Sequence, residues 1–167
     1  NGDVVAFSHS LVNDFAELAK QQTQTVVFNC DIEHAMCQFD PDVLHKILDN
    51  LLFNALKYSP EGGKVEFSFN YAKSTSELLF TVEDSGEGID EKLLKNVFNP
   101  FFSGEKSSHE HFSSFGIGLA LVKELVELWG GVLVVESPIH NNAGRKYGSR
   151  MKVQLPVSTA SIQQGQN

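Results

Sequence analysis

The stretch LHKILDNLLFNALKYSP, Leu44 to Pro60, carries two patterns that pull apart. Leu44, Ile47, Leu48, Leu51, Ala55 and Tyr58 recur at helical spacing and, on a wheel of roughly 100° per residue, form one core face. Asn50, Asn54 and Lys57 follow at spacings of four and three, on a stripe along the edge of that face. Asparagine in a helix interior costs about 0.5–0.7 kcal/mol against alanine. Two in line beside the core, rather than on the far side, point to a helix that lines a cleft.

The sequence on either side sets this helix in a domain. Asp40-Pro41-Asp42 is a strong start signal, with an N-cap, a proline at the first helical position and acid at the positive end of the dipole. Ser59-Pro60-Glu61-Gly62-Gly63 is an equally clear stop. Upstream, Val4 to Gln21 reads as an amphipathic helix, TVVFNC as a strand and AMCQF as its partner. Downstream, KVEFSFNYA and ELLFTVEDSG alternate as strands and form a hairpin through KSTS. A short helix is expected over Glu91 to Asn96, a longer one over Ile117 to Trp129, and two closing strands in VLVVES and RMKVQLP. From Val157 the chain is nearly devoid of apolar residues and reads as a frayed tail or linker. The expected division is a domain over 1–156 and a polar tail over 157–167. Strands and helices do not alternate regularly, so the expected fold class is α+β, a two-layer sandwich with a mixed, mostly antiparallel sheet and helices on one face.

Composition narrows the function classes. The chain has 167 residues, 41% hydrophobic and 20% charged, enough for one domain with a proper core. A formal net charge of -8 argues against a nucleic-acid binder, which needs a basic surface. The two cysteines, Cys30 and Cys37, fit buried free thiols better than a disulfide framework. The most apolar segment, GIGLALVKELVELWGGVLVV, is interrupted by Lys123, Glu124 and Glu127, so no membrane span is expected in it.

Three pieces carry chemistry. The stripe of Asn50, Asn54 and Lys57 offers two neutral oxygens and a cation, which suits a magnesium–triphosphate complex; a solvated helix edge is the plainer alternative. In VEDSGEGI, Asp84 ends a buried strand and Gly86 and Gly88 follow at alternate positions, where glycine permits close backbone approach. An ionised aspartate there can accept from an exocyclic amine, although an Asx-type turn reads the same way. In FGIGLAL, Gly116 and Gly118 stand at the start of a helix, where free N–H groups attract anions. Neither a Walker loop nor a dinucleotide fingerprint fits, since no Gly-Lys-Ser/Thr follows and the strand context is wrong.

In order and together these pieces resemble the catalytic ATP-binding domain of sensor histidine kinases, within the Bergerat-fold superfamily shared with gyrase-type ATPases and MutL. NLLFNALKYS resembles its N box, EDSGEGI its first glycine box and VFNPFF its phenylalanine box. FGIGLALVKELVELWGG resembles the second glycine box, and GSRMKVQLP the last box and final strand. The resemblance implies ATP and Mg2+ as ligands. It implies that Asn50 and Asn54 hold metal and phosphates, that Lys57 approaches the phosphates and that Tyr58 lies near the nucleotide. It gives Asp84 to the adenine amine, with Gly86 and Gly88 shaping that wall and Ser149 supporting it through a water. Gly116 and Gly118, with Leu119 beside them, are implied to approach the phosphates. Ser103 to Phe115 becomes an ATP lid anchored by Phe98, Phe101 and Phe102. A departure is Ala120, which stands where the second glycine box often has its third glycine. His109 and His111 in the lid stretch read as solvated rather than as a metal pair.

The resemblance further implies transfer of the ATP γ-phosphate to a histidine on a dimerisation hairpin outside this chain. The partners expected are that hairpin and, indirectly, a response regulator. The isolated domain is expected to be a monomer, the full-length protein a homodimer, and the setting the cytoplasmic side of a membrane-anchored bacterial sensor. FSHSLVNDF tempts as a phosphoacceptor, but Ser10 rather than an acid follows His9, and no proline comes. An autonomous ATPase of the gyrase kind places a glutamate one turn before the second asparagine, to orient water. That position here is Asn50, which cannot act as a base. A nucleotide-binding module without catalysis, and a serine kinase of the anti-sigma-factor kind, also remain open.

Overall fold

The computed structural model describes residues 1–102, 116–140, 146–158 and 160–164. The chain opens with a two-residue strand β1 (Gly2–Asp3) and helix α1 (Val4–Lys20), followed by β2 (Thr25–Asn29), β3 (Ile32–Cys37) and α2 (Pro41–Tyr58). The hairpin β4 (Lys64–Ala72) and β5 (Glu77–Asp84) leads to the short α3 (Glu91–Leu94). Helix α4 (Gly118–Leu128) precedes β6 (Val132–Glu136), β7 (Ile139–His140), β8 (Lys146–Tyr147), β9 (Arg150–Pro156) and β10 (Ala160–Gln164).

The main sheet has the order β2-β4-β5-β9-β6, parallel only between β2 and β4. Its inner face carries Val65, Phe67 and Phe69 of β4, Leu78, Phe80 and Val82 of β5, and Met151, Val153 and Leu155 of β9, all buried. Against them lie Leu44, Ile47, Leu48 and Leu51 of α2, each with no exposed surface. Burying one such side chain is worth about 1.5–3 kcal/mol, so this layer dominates the stability. The outer face is mostly polar, with Val132 and Val134 of β6 exposed on it. Arg150 binds Glu83 at 2.7 Å and Glu136 at 3.2 Å, and Lys152 binds Glu136 at 2.5 Å. The expected two-layer arrangement, with helices on one face of a mostly antiparallel sheet, is the one observed.

Helix α2 is fixed at both ends. Its N-cap Asp40 accepts from the N–H groups of Asp42 at 3.0 Å and Val43 at 3.1 Å. At the other end Pro60 holds Ser59 extended, with ψ 140°, and the helix stops. The open carbonyls there are met by Gln24, whose Nε2 donates to Leu56 at 3.0 Å and Ser59 at 2.8 Å.

Two sequence expectations are corrected. AMCQF is not the partner of TVVFNC: β2 runs parallel to β4, whereas β3 pairs antiparallel with β1 and β10 in a separate three-stranded sheet. A short apolar run announces a strand but not its neighbour, which tertiary packing selects. Nor is the stretch Ala160 to Gln164 a frayed tail, since it pairs with β3. A ladder is built from backbone groups, so a polar sequence joins it as readily as an apolar one. Buried Val157 anchors the approach to this strand. The cysteines are free, Cys37 buried and Cys30 half-buried.

Candidate functional site

Three elements converge at one end of the sheet: the second half of α2, the loop after β5, and the start of α4. The asparagine stripe faces α4 directly. Asn50 donates its Nδ2 back to the Lys46 carbonyl at 2.7 Å, which turns Oδ1 outward. A Cβ placed on Gly118 would come within 2.6 Å of that Oδ1 and 3.8 Å of Asn54 Nδ2. Glycine at 118 therefore keeps open the space in front of both carboxamides. Lys57 is buried, with Nζ 5.1 Å from the centroid of the half-exposed Tyr58 ring.

Asp84 anchors the other end. It occupies the inner face of β5 opposite Val65 and is only 6% exposed. Its Oδ1 accepts from the Gly86 N–H at 2.9 Å, and the Ser149 hydroxyl bonds the same carboxyl. Burial nevertheless pushes the carboxyl up to about 6, because these bonds offset only part of the lost hydration. The glycines around it stand against backbone. A Cβ on Gly86 would meet the Tyr58 carbonyl at 2.3 Å, and one on Gly88 the Gly148 carbonyl at 2.9 Å. Gly88 has φ +81°, which adds a second reason for glycine there.

The predicted residues thus form two clusters, joined where the Tyr58 backbone packs on Gly86. Asn50, Asn54 and Gly118 make one; Asp84, Gly86, Gly88 and Ser149 make the other. Gly116 lies against the backbone of Phe102 and accepts from the Phe101 N–H at 3.0 Å. Leu119 packs on the core. The expected lid, Ser103 to Phe115 with His109 and His111, lies outside the described residues. No group of three or more metal-ligating His, Cys, Asp or Glu side chains occurs among the described residues. Sequence reasoning missed Ser137, which bridges Ile89, Gly148 and Ser149. Its position before Pro138, beyond every motif, gave no signal.

Residues 39–159 match the family described as Histidine kinase-, DNA gyrase B-, and HSP90-like ATPase. The chain belongs to that family. Within it the chain is an ATP-binding catalytic domain of the histidine kinase type. It is 36% identical over 128 residues to the sensor histidine kinase WalK of Bacillus subtilis, covering 77% of this chain and 21% of WalK. It is 35% identical over 132 residues to the circadian input-output histidine kinase CikA of Synechocystis, covering 78% of this chain and 17% of CikA. The family domain accordingly spans about a fifth of the length of these curated relatives. In fold it matches the mycobacterial sensor histidine kinase MprB, with a TM-score of 0.76 at 24% identity, over 93% of this chain and 97% of that one. The catalytic domain of the histidine kinase ThkA gives the same TM-score at 22% identity, over 93% of each chain. Among the described residues of this family member, no helix is long and apolar enough to cross a membrane.

Proposed function

We propose that this domain binds Mg2+–ATP and passes the γ-phosphate to a histidine on a helical hairpin of the same full-length kinase, which then serves a response regulator. The observation that carries this reading is Asn50. It occupies the place where a hydrolytic relative has its water-orienting glutamate, and a carboxamide cannot take a proton from water. The family membership and the sensor-kinase relatives support ATP as the nucleotide. Asn50 and Asn54 would hold magnesium through neutral oxygens, and the metal supplies charge neutralisation of the triphosphate. The cradle kept open by Gly118 fits that assignment. Lys57 would meet the phosphates, with Gly116, Gly118 and Leu119 beside them. Tyr58 and Phe102 would border the nucleotide, and Gly86 and Gly88 would form the wall by the adenine. Asp84 would accept from the adenine amine, supported by Ser149. An anchored, dimeric full-length sensor belongs to the same proposal.

The test adds the chain, ATP and magnesium to a purified matching hairpin. The hairpin should acquire an acid-labile, base-stable label, and Asn54→Ala should abolish it. The chain alone should show negligible turnover. Robust hydrolysis by the chain alone, lost in Asn54→Ala, would instead establish the autonomous ATPase.

A further inference from the structure

Ser137 lies just past β6, outside all the boxes, yet its hydroxyl touches three groups of the base end. The Ile89 N–H donates to its Oγ at 2.6 Å. The Gly148 carbonyl and Ser149 Oγ lie at 3.0 Å and 3.1 Å. Packing here is close, since a Cβ on Gly88 would approach Ser137 Oγ to 3.0 Å. Proton accounting then sets a direction. An ionised carboxylate only accepts, so Ser149 spends its single proton on Asp84. The Ser149 oxygen is left as an acceptor, and Ser137 has one proton, which Ser149 and the Gly148 carbonyl share. The Ser137 oxygen is in turn filled by the Ile89 N–H. The result is a one-way donor chain, from half-buried Ile89 and Ser137 through buried Ser149 to buried Asp84, where each bond strengthens the next.

We propose that Ser137 is a positioning residue for base recognition: it orients the Ser149 hydroxyl toward Asp84 and staples the loop bearing Gly88 and Ile89 to the strand bearing Ser149. The inference rests on Asp84 as the adenine-reading carboxylate. Glu83 is the charged neighbour that acts on Asp84, and it is held on the opposite sheet face by Tyr147 at 2.6 Å and Arg150 at 2.7 Å. Loss of the Ser137 hydroxyl leaves those groups in place and removes the donor chain together with the bond to the Gly148 carbonyl.

The experiment titrates wild type, Ser137→Ala, Ser137→Thr and Asp84→Ala with a fluorescent ADP analogue from pH 5 to pH 8, with ATP and GTP as competitors. Ser137→Ala should weaken ADP by about 2- to 10-fold and shrink the preference for ATP over GTP by a similar factor. Its binding midpoint should move up by about half a pH unit, because the Asp84 anion loses support. Threonine should restore all three. Should the alanine variant fail to fold, Ser137→Cys, a weak donor of similar size, is read in its place. A variant that only melts earlier, with midpoint and ATP:GTP ratio unchanged, would reduce Ser137 to a structural staple and overturn the inference. If Asp84→Ala itself leaves ATP affinity intact, the base-reading assignment falls as well. If Asp84→Ala fails to bind while Ser137→Ala behaves as wild type, this inference falls alone.

Discussion

Asp84 is a residue that the fold tolerates rather than welcomes. Its carboxyl is raised from an ordinary value of 3.8 to about 6, so the folded chain holds that proton more tightly than the unfolded chain does. Stability from this group is therefore full at acid pH and is lost as pH rises from about 4 through 6. Above that window the buried charge costs the ligand-free fold up to about 3 kcal/mol. Asp84→Asn should gain most of that stability at pH 8 and little at pH 4, read as urea midpoints at the two pH values. Asp84→Ala, which removes the acceptor altogether, should weaken adenine nucleotides by roughly 10- to 150-fold, the worth of a charge-assisted hydrogen bond. GTP, which presents a carbonyl where adenine has its amine, should be nearly unaffected. In the wild type, ATP affinity should fall about tenfold for each unit below pH 6. A flat profile between pH 4.5 and 7 would remove Asp84 from the site.

At the scale of elements, α2 is the part of the site that sequence specifies most fully. Asp40, Pro41 and Ser59-Pro60 mark its ends, and its apolar spacing fixes which edge carries Asn50, Asn54 and Lys57. The hairpin β4–β5 was equally legible, because strict alternation assigns every side chain to a face. What the sequence could not convey were contacts made across long separations. Gln24 lies far from α2 in the chain, yet clamps its last turn. Ser137 and the strand β10 gave no hint because neither function requires an apolar pattern. Gln24→Ala should leave those carbonyls short of a partner and cost about 1–3 kcal/mol in urea unfolding. It should also weaken ADP, since Lys57 and Tyr58 sit on the turn it holds. Unchanged stability in that variant would show that water satisfies the carbonyls equally well.

For the molecule as a whole, the question is where the nucleotide-binding unit ends, which we propose is at Pro156. Strand β10 pairs with β3 alone, away from Asp84 and Ser149. A chain ending at Ser158 should bind the ADP analogue as wild type does but unfold about 1–4 kcal/mol sooner, the loss of several ladder bonds worth roughly 0.5–1.5 kcal/mol each. Loss of nucleotide binding in that truncation would extend the unit into β10. The small sheet has a second implication. Gly2 and Ala160 both sit opposite Cys37, on either side of β3, about 10 Å apart or two strand spacings. Two segments far apart in sequence are thus fastened side by side on one strand. A bridge from Gln164 back to Gly2 has to recross the length of β3, and new ends cut into the turn at Lys73 to Ser76, at the end of β5 remote from Asp84, should leave every site residue in place and ADP binding as in wild type. On that outcome the order in which the genetic message reads these elements is separable from the arrangement that makes the site.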